Sequence, residues 1–251
     1  MKPRDTATAW GNGDSQRVGT PEAQQPGCAP SAAQAIPSRV RRGNQEDHRR
    51  LQAAIVAAAL ELFRQGGTDA VTMQALARSL GRSAMSLYRY FDGKNAVLQE
   101  LWRVVFGELL LVLQACVDAR SSAQQRHRSL VEGFVDFWEQ RPDYYRLVYL
   151  TSSPSGQPGQ VQPQALTPVY GDILALFARV TRALADELGS GHERLALADE
   201  LRLALALGYL QARFANPRYP WGDFARLREA CVEAIVGGVA RCLAPDAPRA
   251  A

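Results

Sequence analysis

The side chains best suited to chemistry lie together between Arg82 and Lys94. This stretch reads Arg-Ser-Ala-Met-Ser-Leu-Tyr-Arg-Tyr-Phe-Asp-Gly-Lys, so cationic and hydroxyl-bearing residues outnumber apolar ones. An arginine can donate two hydrogen bonds to a guanine edge or grip a phosphate. A lysine beside the free amides of a helix start can hold a phosphate. The stretch therefore favours hydrogen bonding to nucleic acid as its chemistry.

Two short helices joined by a tight turn are predicted to position these side chains. Thr72 is a good N-cap for the first helix. The apolar stripe of that helix, spaced i, i+3, i+4 and i+7, consists of Met73, Leu76, Ala77 and Leu80. Gly81 can end the helix in a left-handed conformation. Ser83 is placed to cap the second helix, whose buried side is predicted to be Leu87 and Phe91.

The spacing of Ala77, Gly81 and Leu87 defines how the two helices meet. A small residue lets the second helix cross closely, glycine makes the turn, and leucine fills the joint. These are the steric requirements of a helix-turn-helix, whose second helix enters the DNA major groove. The alternative is a helical hairpin inside an all-α core, which the Arg-, Ser- and Tyr-rich second helix disfavours.

The excess of positive charge is confined to one part of the chain. Residues 39–94 contain ten Lys or Arg and five Asp or Glu, a balance of +5, whereas residues 1–38 are neutral and residues 95–251 carry −1. Such a local basic surface is typical of nucleic-acid binding. Arg39, Arg41 and Arg42 form a basic cluster that is either a solvated charge run or an arm contacting phosphates or the minor groove.

Composition excludes several other classes of protein. The chain of 251 residues is 47% hydrophobic and 22% charged, and its frequent Ala, Leu and Arg favour helices. Its four cysteines and three histidines have no metal-ligand spacing, so neither a metal nor another cofactor is expected. The N-terminus lacks an apolar signal region, and the apolar runs are too short to span a bilayer. We expect a cytoplasmic protein with reduced cysteines.

A longer set of residues resembles the N-terminal domain of the tetracycline-repressor (TetR) family. It comprises Ile55-Val-Ala-Ala-Ala-Leu-Glu-Leu-Phe63, Gly67, Val71-Thr-Met, Leu87-Tyr-Arg-Tyr-Phe91 and Lys94. The resemblance implies a dimeric, all-helical transcription regulator, usually a repressor released by a small ligand. It implies DNA contacts from Thr72, Ser83, Ser86, Tyr88 and Lys94. It further implies that the operator is read by Arg82, Ala84, Met85 and Arg89.

The predicted fold is therefore all-α, with a helix-turn-helix domain followed by a helical ligand-binding and dimerisation domain. Residues 1–45 are expected to be a disordered tail with a basic end, residues 46–94 the DNA-binding domain, residues 95–243 the second domain, and residues 244–251 a disordered end. Apolar periodicity predicts helices over residues 47–65, 95–119, 123–140, 165–188, 193–215 and 223–243, and a further helix from Pro142.

The second domain carries aromatic residues that are candidates for one ligand pocket. These are Phe106, Phe134, Trp138, Tyr145, Tyr149, Phe177 and Tyr209. An apolar or aromatic small molecule suits such walls, with the tyrosine hydroxyls as the polar groups. The alternative is that most of these rings are ordinary core residues.

The last two helices combine small and apolar residues in a way that suits a helix-helix interface. The predicted interface residues are Ala204, Gly208, Ala212, Leu227, Cys231, Ile235 and Val239. Pairing with a second copy would make a four-helix interface and imply a palindromic DNA site. The alternative is a hairpin that packs only within its own chain.

Two other functions remain open at this point. An all-α enzyme is one, although the sequence contains no nucleophile elbow, phosphate loop or metal motif, and the pair Glu132 and Asp136 is explained by a solvated helix face. A dimeric helical protein without sequence-specific DNA binding is the other, and the basic second helix argues against it.

Overall fold

The computed structural model describes the backbone of residues 38–118, 120, 122–150 and 163–244, and their side chains except those of residues 38–44 and 163–167. All regular structure in these ranges is helical, as the sequence predicts. None of the helices within them is long and apolar enough to cross a membrane. The predictions for the first 37 residues and for residues 245–251 lie outside these ranges.

Nine α-helices and one π-helical turn follow one another along the described chain. They are α1 (Ser38–Ala70), α2 (Met73–Ser79), α3 (Ala84–Leu87), α4 (Lys94–Asp118), α5 (Ala123–Gln140), α6 (Pro142–Tyr145), the π-helical turn Arg146–Leu150, α7 (Pro163–Glu187), α8 (Leu195–Ala215) and α9 (Phe224–Leu243).

Helix α1 differs from its prediction at the N-terminal end. It begins at Ser38 rather than at Asp47, and its regular part ends at Gly66 and Gly67, where the backbone leaves the helical region. The end was predictable because glycine breaks helices. The start was missed because residues 38–46 are mainly polar and have no apolar period. The side chains of Arg39, Arg41 and Arg42 are not described.

One hydrophobic core runs through the described chain from α1 to α9. Helix α4 passes from beneath α1–α3 into the second domain, and its buried positions continue along its whole length. Near its end the buried residues are Leu113 and Val117, whereas Val112 and Cys116 are half-buried. The buried face moves around the helix along its length, because an α-helix has 3.6 residues per turn and a repeat of three or four residues does not match this period.

Candidate nucleic-acid interface

Helix α2 has well-satisfied ends. The Thr72 hydroxyl oxygen accepts a hydrogen bond from the Ala75 amide at 3.1 Å, which is the predicted N-cap. At the other end the Arg82 amide donates to the Ala77 carbonyl at 2.9 Å, and the Gly81 amide to the Arg78 carbonyl at 3.2 Å. These two bonds form a Schellman motif. Gly81 has a φ of 62°, which a residue without a Cβ adopts at little cost.

Helix α3 is short, and it is stabilised by its N-cap and by buried side chains near its C-terminal end. The Ser83 hydroxyl oxygen accepts from the Ser86 amide at 3.2 Å, so the predicted cap is present. Leu87 is completely buried and Phe91 nearly so, as the sequence predicts. The Ser86 hydroxyl donates to the Ser83 carbonyl at 2.7 Å, so its proton is already used. Ser86 can therefore offer a lone pair to a partner, but not a hydrogen bond to a phosphate.

The outward side of α3 carries large side chains that contact little of the chain. Met85 is 78% exposed and Tyr88 is 49% exposed. Arg82, Ser83 and Arg89 are also exposed, and Ala84 is half-buried. In the part of the chain that the structure describes, no acidic group pairs with Arg82 or Arg89. The guanidinium groups of Arg82 and Arg89 and the phenol of Tyr88 are thus exposed in this segment and can contact a partner.

The two tyrosines of this segment have different surroundings. Tyr90 lies against the His48 ring of α1, with ring centroids 4.5 Å apart, and packs against the hydrophobic core. Tyr88 points away from that core. Tyr88 therefore lies on the outer surface, whereas Tyr90 and Phe91 face the protein.

Lys94 is the first residue of α4, as predicted. Its ammonium lies 3.9 Å from the Asp69 carboxylate, a loose pair in which the Asp69 side chain is fully exposed. The amides of a first helical turn lack intrahelical partners and attract anions. Lys94 and this turn can together hold one phosphate, provided that the phosphate displaces the Asp69 carboxylate.

Among the described residues, six of the seven predicted ligand residues lie in a cluster of contacting aromatic rings. The aromatic cluster comprises Phe106, Phe134, Phe137, Trp138, Tyr145, Tyr149 and Phe177. Trp138 lies at its centre, with edge-on contacts to Phe106 at 6.4 Å, Phe134 at 6.2 Å and Tyr149 at 5.2 Å between centroids. Within the described chain its indole N–H has no hydrogen-bond acceptor.

A cavity of about 10 Å³ remains beside this cluster. It is lined by Phe106, Leu109, Phe134, Tyr149, Tyr170, Ile173, Leu174, Phe177 and Leu203. Such a volume holds roughly one water molecule. Five of these residues were not predicted, although Ile173 and Phe177 stand four apart on α7, a spacing that could have indicated a shared face.

The tyrosine hydroxyls do not serve as the predicted polar groups of a pocket. The Tyr145 hydroxyl donates to Gln211 at 3.3 Å, and the Tyr209 hydroxyl donates to the Glu139 carboxylate at 2.6 Å. Burial raises the pKa of Tyr145 to about 12. Burial and the Glu139 carboxylate raise the pKa of Tyr209. Of the seven predicted residues, Phe106, Phe134, Tyr149 and Phe177 line the cavity of about 10 Å³, whereas Trp138, Tyr145 and Tyr209 do not.

The predicted interface residues divide into two groups. Ala204 and Gly208 of α8 are exposed, and Ala212, Leu227 and Cys231 are half-buried. Ile235, with 1% exposure, and Val239 are buried within the single chain. A second copy cannot reach them unless the core opens. The apolar periodicity of α9 could not distinguish core residues from interface residues, because a helix face has the same periodicity in both settings.

Of the acidic pair on α5, Asp136 forms an ion pair with α9, whereas Glu132 pairs within α5. Asp136 accepts hydrogen bonds from Arg228 of α9, and Glu132 lies 3.8 Å from Arg128, which also pairs with Glu233 of α9. These contacts link α5 to α9, so the solvated helix face that the sequence suggested for Glu132 and Asp136 is an incomplete description. Among the described residues no group of three or more His, Cys, Asp or Glu could hold a metal ion, and Cys116, Cys231 and Cys242 are free thiols.

These observations define an all-helical protein with an N-terminal helix-turn-helix whose second helix is flanked by exposed arginines. Residues 55–101 match the family model described as bacterial regulatory proteins, tetR family. The HTH-type transcriptional activator FasR of Mycolicibacterium smegmatis is 30% identical over 141 residues, which cover 54% of this chain and 64% of that protein. The match thus spans less than two thirds of the relative's length.

Solved structures share the fold over most of their length. The regulatory protein SCO4313 has a TM-score of 0.63 and 21% identity, covering 77% of this chain and 98% of that one. A TetR/AcrR-family regulator from Thermobifida fusca has a TM-score of 0.58 and 19% identity, covering 74% and 97%. The N-terminal part of the chain is therefore similar to the tetR family, and the solved structures share its fold. The matched family model describes bacterial regulatory proteins, which favours a regulator over the enzyme alternative.

Proposed function

We propose that the protein regulates transcription by binding a palindromic operator as a homodimer, with α3 in the major groove. The observation that carries this proposal is the exposure of Met85 on α3 and of Arg82, Tyr88 and Arg89 beside its two ends. Fully buried Leu87 anchors this helix. Arginine can read guanine, and the Met85 side chain can contact a thymine methyl group. The match of residues 55–101 to the tetR family model supports the same function.

Phosphate contacts would fix the orientation of α3. Thr72 and Ser83 use a hydroxyl lone pair for capping, and each retains a proton that it can donate to a phosphate. Lys94 would bind the backbone from the start of α4. Ser86 would contribute less than the family resemblance implies, because its proton is bonded to the Ser83 carbonyl.

The dimer is proposed to form through the outer faces of α8 and α9. Leu197 is 56% exposed on α8, and Leu205, Ala204 and Gly208 are exposed on the same helix. On α9, Ala230 and Ala234 are exposed. Small and apolar residues on adjacent helices form a surface that monomeric proteins rarely leave in water. A two-fold axis here would place the two α3 helices about 34–36 Å apart, one turn of DNA.

The proposed effector is a small apolar or aromatic molecule bound at the aromatic cluster. Since the cavity there is about 10 Å³, the effector would select a conformation in which rings such as Tyr149 have moved. Tyr149 belongs to the π-helical turn that follows α6, and Asp143 of α6 accepts a hydrogen bond from Arg64 of α1 at 3.2 Å. Movement of Tyr149 would therefore reach the DNA-binding domain through α6.

We propose a repressor that the effector releases from DNA. The relative from Mycolicibacterium smegmatis is named an activator, so the sign of regulation needs its own measurement. The test is a gel shift with DNA from upstream of the protein's own gene, followed by transcription in vitro from the same DNA. Binding with lower transcription supports the proposal. Binding with higher transcription would make the protein an activator, and failure to bind any selected duplex would contradict DNA recognition.

A further inference from the structure

Two side chains of α7 separate the small cavity beside the aromatic cluster from solvent. Tyr170 is 39% exposed and Leu174 is 46% exposed, yet both line that cavity. The other side chains that line it are buried or half-buried. Tyr170 and Leu174 stand four residues apart and are neighbours on one face of the helix. Each therefore has one side toward the cavity and another in water.

The Tyr170 ring bridges α7 and α4. It meets the Phe106 ring of α4 edge-on, with centroids 5.5 Å apart, and Phe106 lines the same cavity. Because the outer side of Tyr170 is in water, its ring can turn outward without displacing a core residue, and exposed side chains change rotamer quickly. Phe134 and Phe177 are buried, so they cannot move until their neighbours move. The least obstructed way into the cavity therefore leads past Tyr170 and Leu174.

Tyr149 lies where a molecule that enters this way would arrive. It lines the cavity and belongs to the π-helical turn. Burial raises the pKa of Tyr149, and the neighbouring phenols of Tyr170 and Tyr145 raise it further. Tyr149 and Tyr170 thus interact, and displacement of Tyr170 changes the surroundings of the turn that follows α6.

We propose that Tyr170 and Leu174 form the entrance to the effector site and limit the size of the molecule that it admits. This inference rests on the effector site of the proposed function. Outward rotation of Tyr170 vacates about the space of its own ring, so a neutral molecule with a single ring, or a short aliphatic one, can enter. A fused ring system needs buried residues to move as well.

Stopped-flow fluorescence on the full-length protein with iodobenzene tests the proposal. Iodobenzene is neutral and has a single ring, and its iodine atom quenches indole fluorescence on close approach. Trp138 is a suitable reporter because it contacts Phe106, Phe134 and Tyr149, which line the cavity. The dependence of the observed rate on iodobenzene concentration gives the association and dissociation rate constants.

Three variants separate an entrance from a simple gain in space. Tyr170→Ala should raise the association rate constant about tenfold or more, because the open conformation of wild type is expected to be populated at about 10% or less. Leu174→Trp adds bulk at the entrance and should lower it. Phe134→Leu enlarges the cavity from its buried side, so it should slow dissociation without this gain in association. The gain in Tyr170→Ala should be larger for 1-iodonaphthalene, a fused ring system, than for iodobenzene.

Tyr219→Ala and Leu111→Ala are matched controls, since they shorten an exposed tyrosine and an exposed leucine that do not line the cavity. Neither should alter the rate constants. A Tyr170→Ala association rate constant similar to that of wild type, an equal change in the controls, or an equal gain for both probes would overturn the entrance and leave the effector site in place. Failure of iodobenzene to bind wild type and every variant would overturn the effector site as well. Should Tyr170→Ala not fold, unchanged rate constants in Leu174→Ala and Leu174→Trp would overturn the entrance.

Discussion

The helix-turn-helix and the aromatic cluster place large side chains in opposite ways, since the first exposes them and the second packs them together. On and beside α3, the side chains of Met85, Tyr88 and the two arginines are exposed. In the aromatic cluster, rings contact one another from all sides and leave a cavity of about 10 Å³. The outer surface of α3 can bind a partner without rearrangement, whereas the cluster must rearrange before it admits one. Substitutions of the exposed residues at α3 should therefore change binding with little effect on stability, whereas substitutions in the aromatic cluster should change both.

The largest expected effect comes from removing the centre of the cluster. Trp138→Ala should lower the free energy of unfolding by about 3–5 kcal/mol, because a fully buried aromatic side chain is lost and a cavity is left. Met85→Ala should change it by less than about 0.5 kcal/mol and weaken operator binding instead. Urea denaturation and DNA titration of both variants check this contrast. A Trp138→Ala protein of wild-type stability would contradict the packed cluster.

The next prediction separates the core of α9 from its outer face. Ile235→Glu buries a carboxylate where the side chain is almost completely enclosed, so it should destabilise the single chain by several kcal/mol. Ala204→Arg adds a charge to the exposed face of α8 and should give folded monomers. Circular dichroism reports folding and light scattering reports mass. A dimer that persists in Ala204→Arg, or a wild-type monomer at micromolar concentration, would remove the proposed interface.

A smaller effect is expected at the proposed DNA-binding surface, where Arg82 and Lys94 should make different kinds of contact with DNA. Arg82→Ala should weaken operator binding by about 1–3 kcal/mol and relax the preference at one base pair. Lys94→Ala should weaken binding to all sequences alike and reduce the slope of log affinity against log salt by about one per site. Arg179→Ala, at an exposed position of α7 outside the proposed dimer interface, is the control for lost charge. If Lys94→Ala alters base preference and Arg82→Ala does not, the two roles are reversed.

The smallest expected effect concerns the ion pair between Arg64 and Asp143. Both side chains are partly exposed, so a double-mutant cycle should give a coupling of less than about 1 kcal/mol in stability. In operator affinity, however, Arg64→Ala, Asp143→Ala and the double variant should shift by similar amounts in one direction. Glu100→Ala, which breaks a pair within α4, should not. Independent effects of Arg64→Ala and Asp143→Ala on DNA binding would exclude coupling through this pair.

The two regions also differ in how far their sequence predicts them. The caps at Thr72 and Ser83, the turn at Gly81 and the burial of Leu87 depend on residues within a few positions of one another, so local rules were sufficient. The partner of the Tyr209 hydroxyl is Glu139, seventy residues away, and no local pattern indicates it. Ile235 lies on a stripe that fits a core and an interface equally well, and only the position of α8 decides between them.

The shortness of α3 has a consequence for how such a protein can change. Its attachment depends on Leu87, Phe91 and two capped ends, while Arg82, Met85 and Arg89 are exposed on its outer side. Substitutions at these three positions should therefore be nearly neutral for folding. Target preference can diverge after gene duplication, or be reprogrammed by directed selection at these sites, while the scaffold stays unchanged.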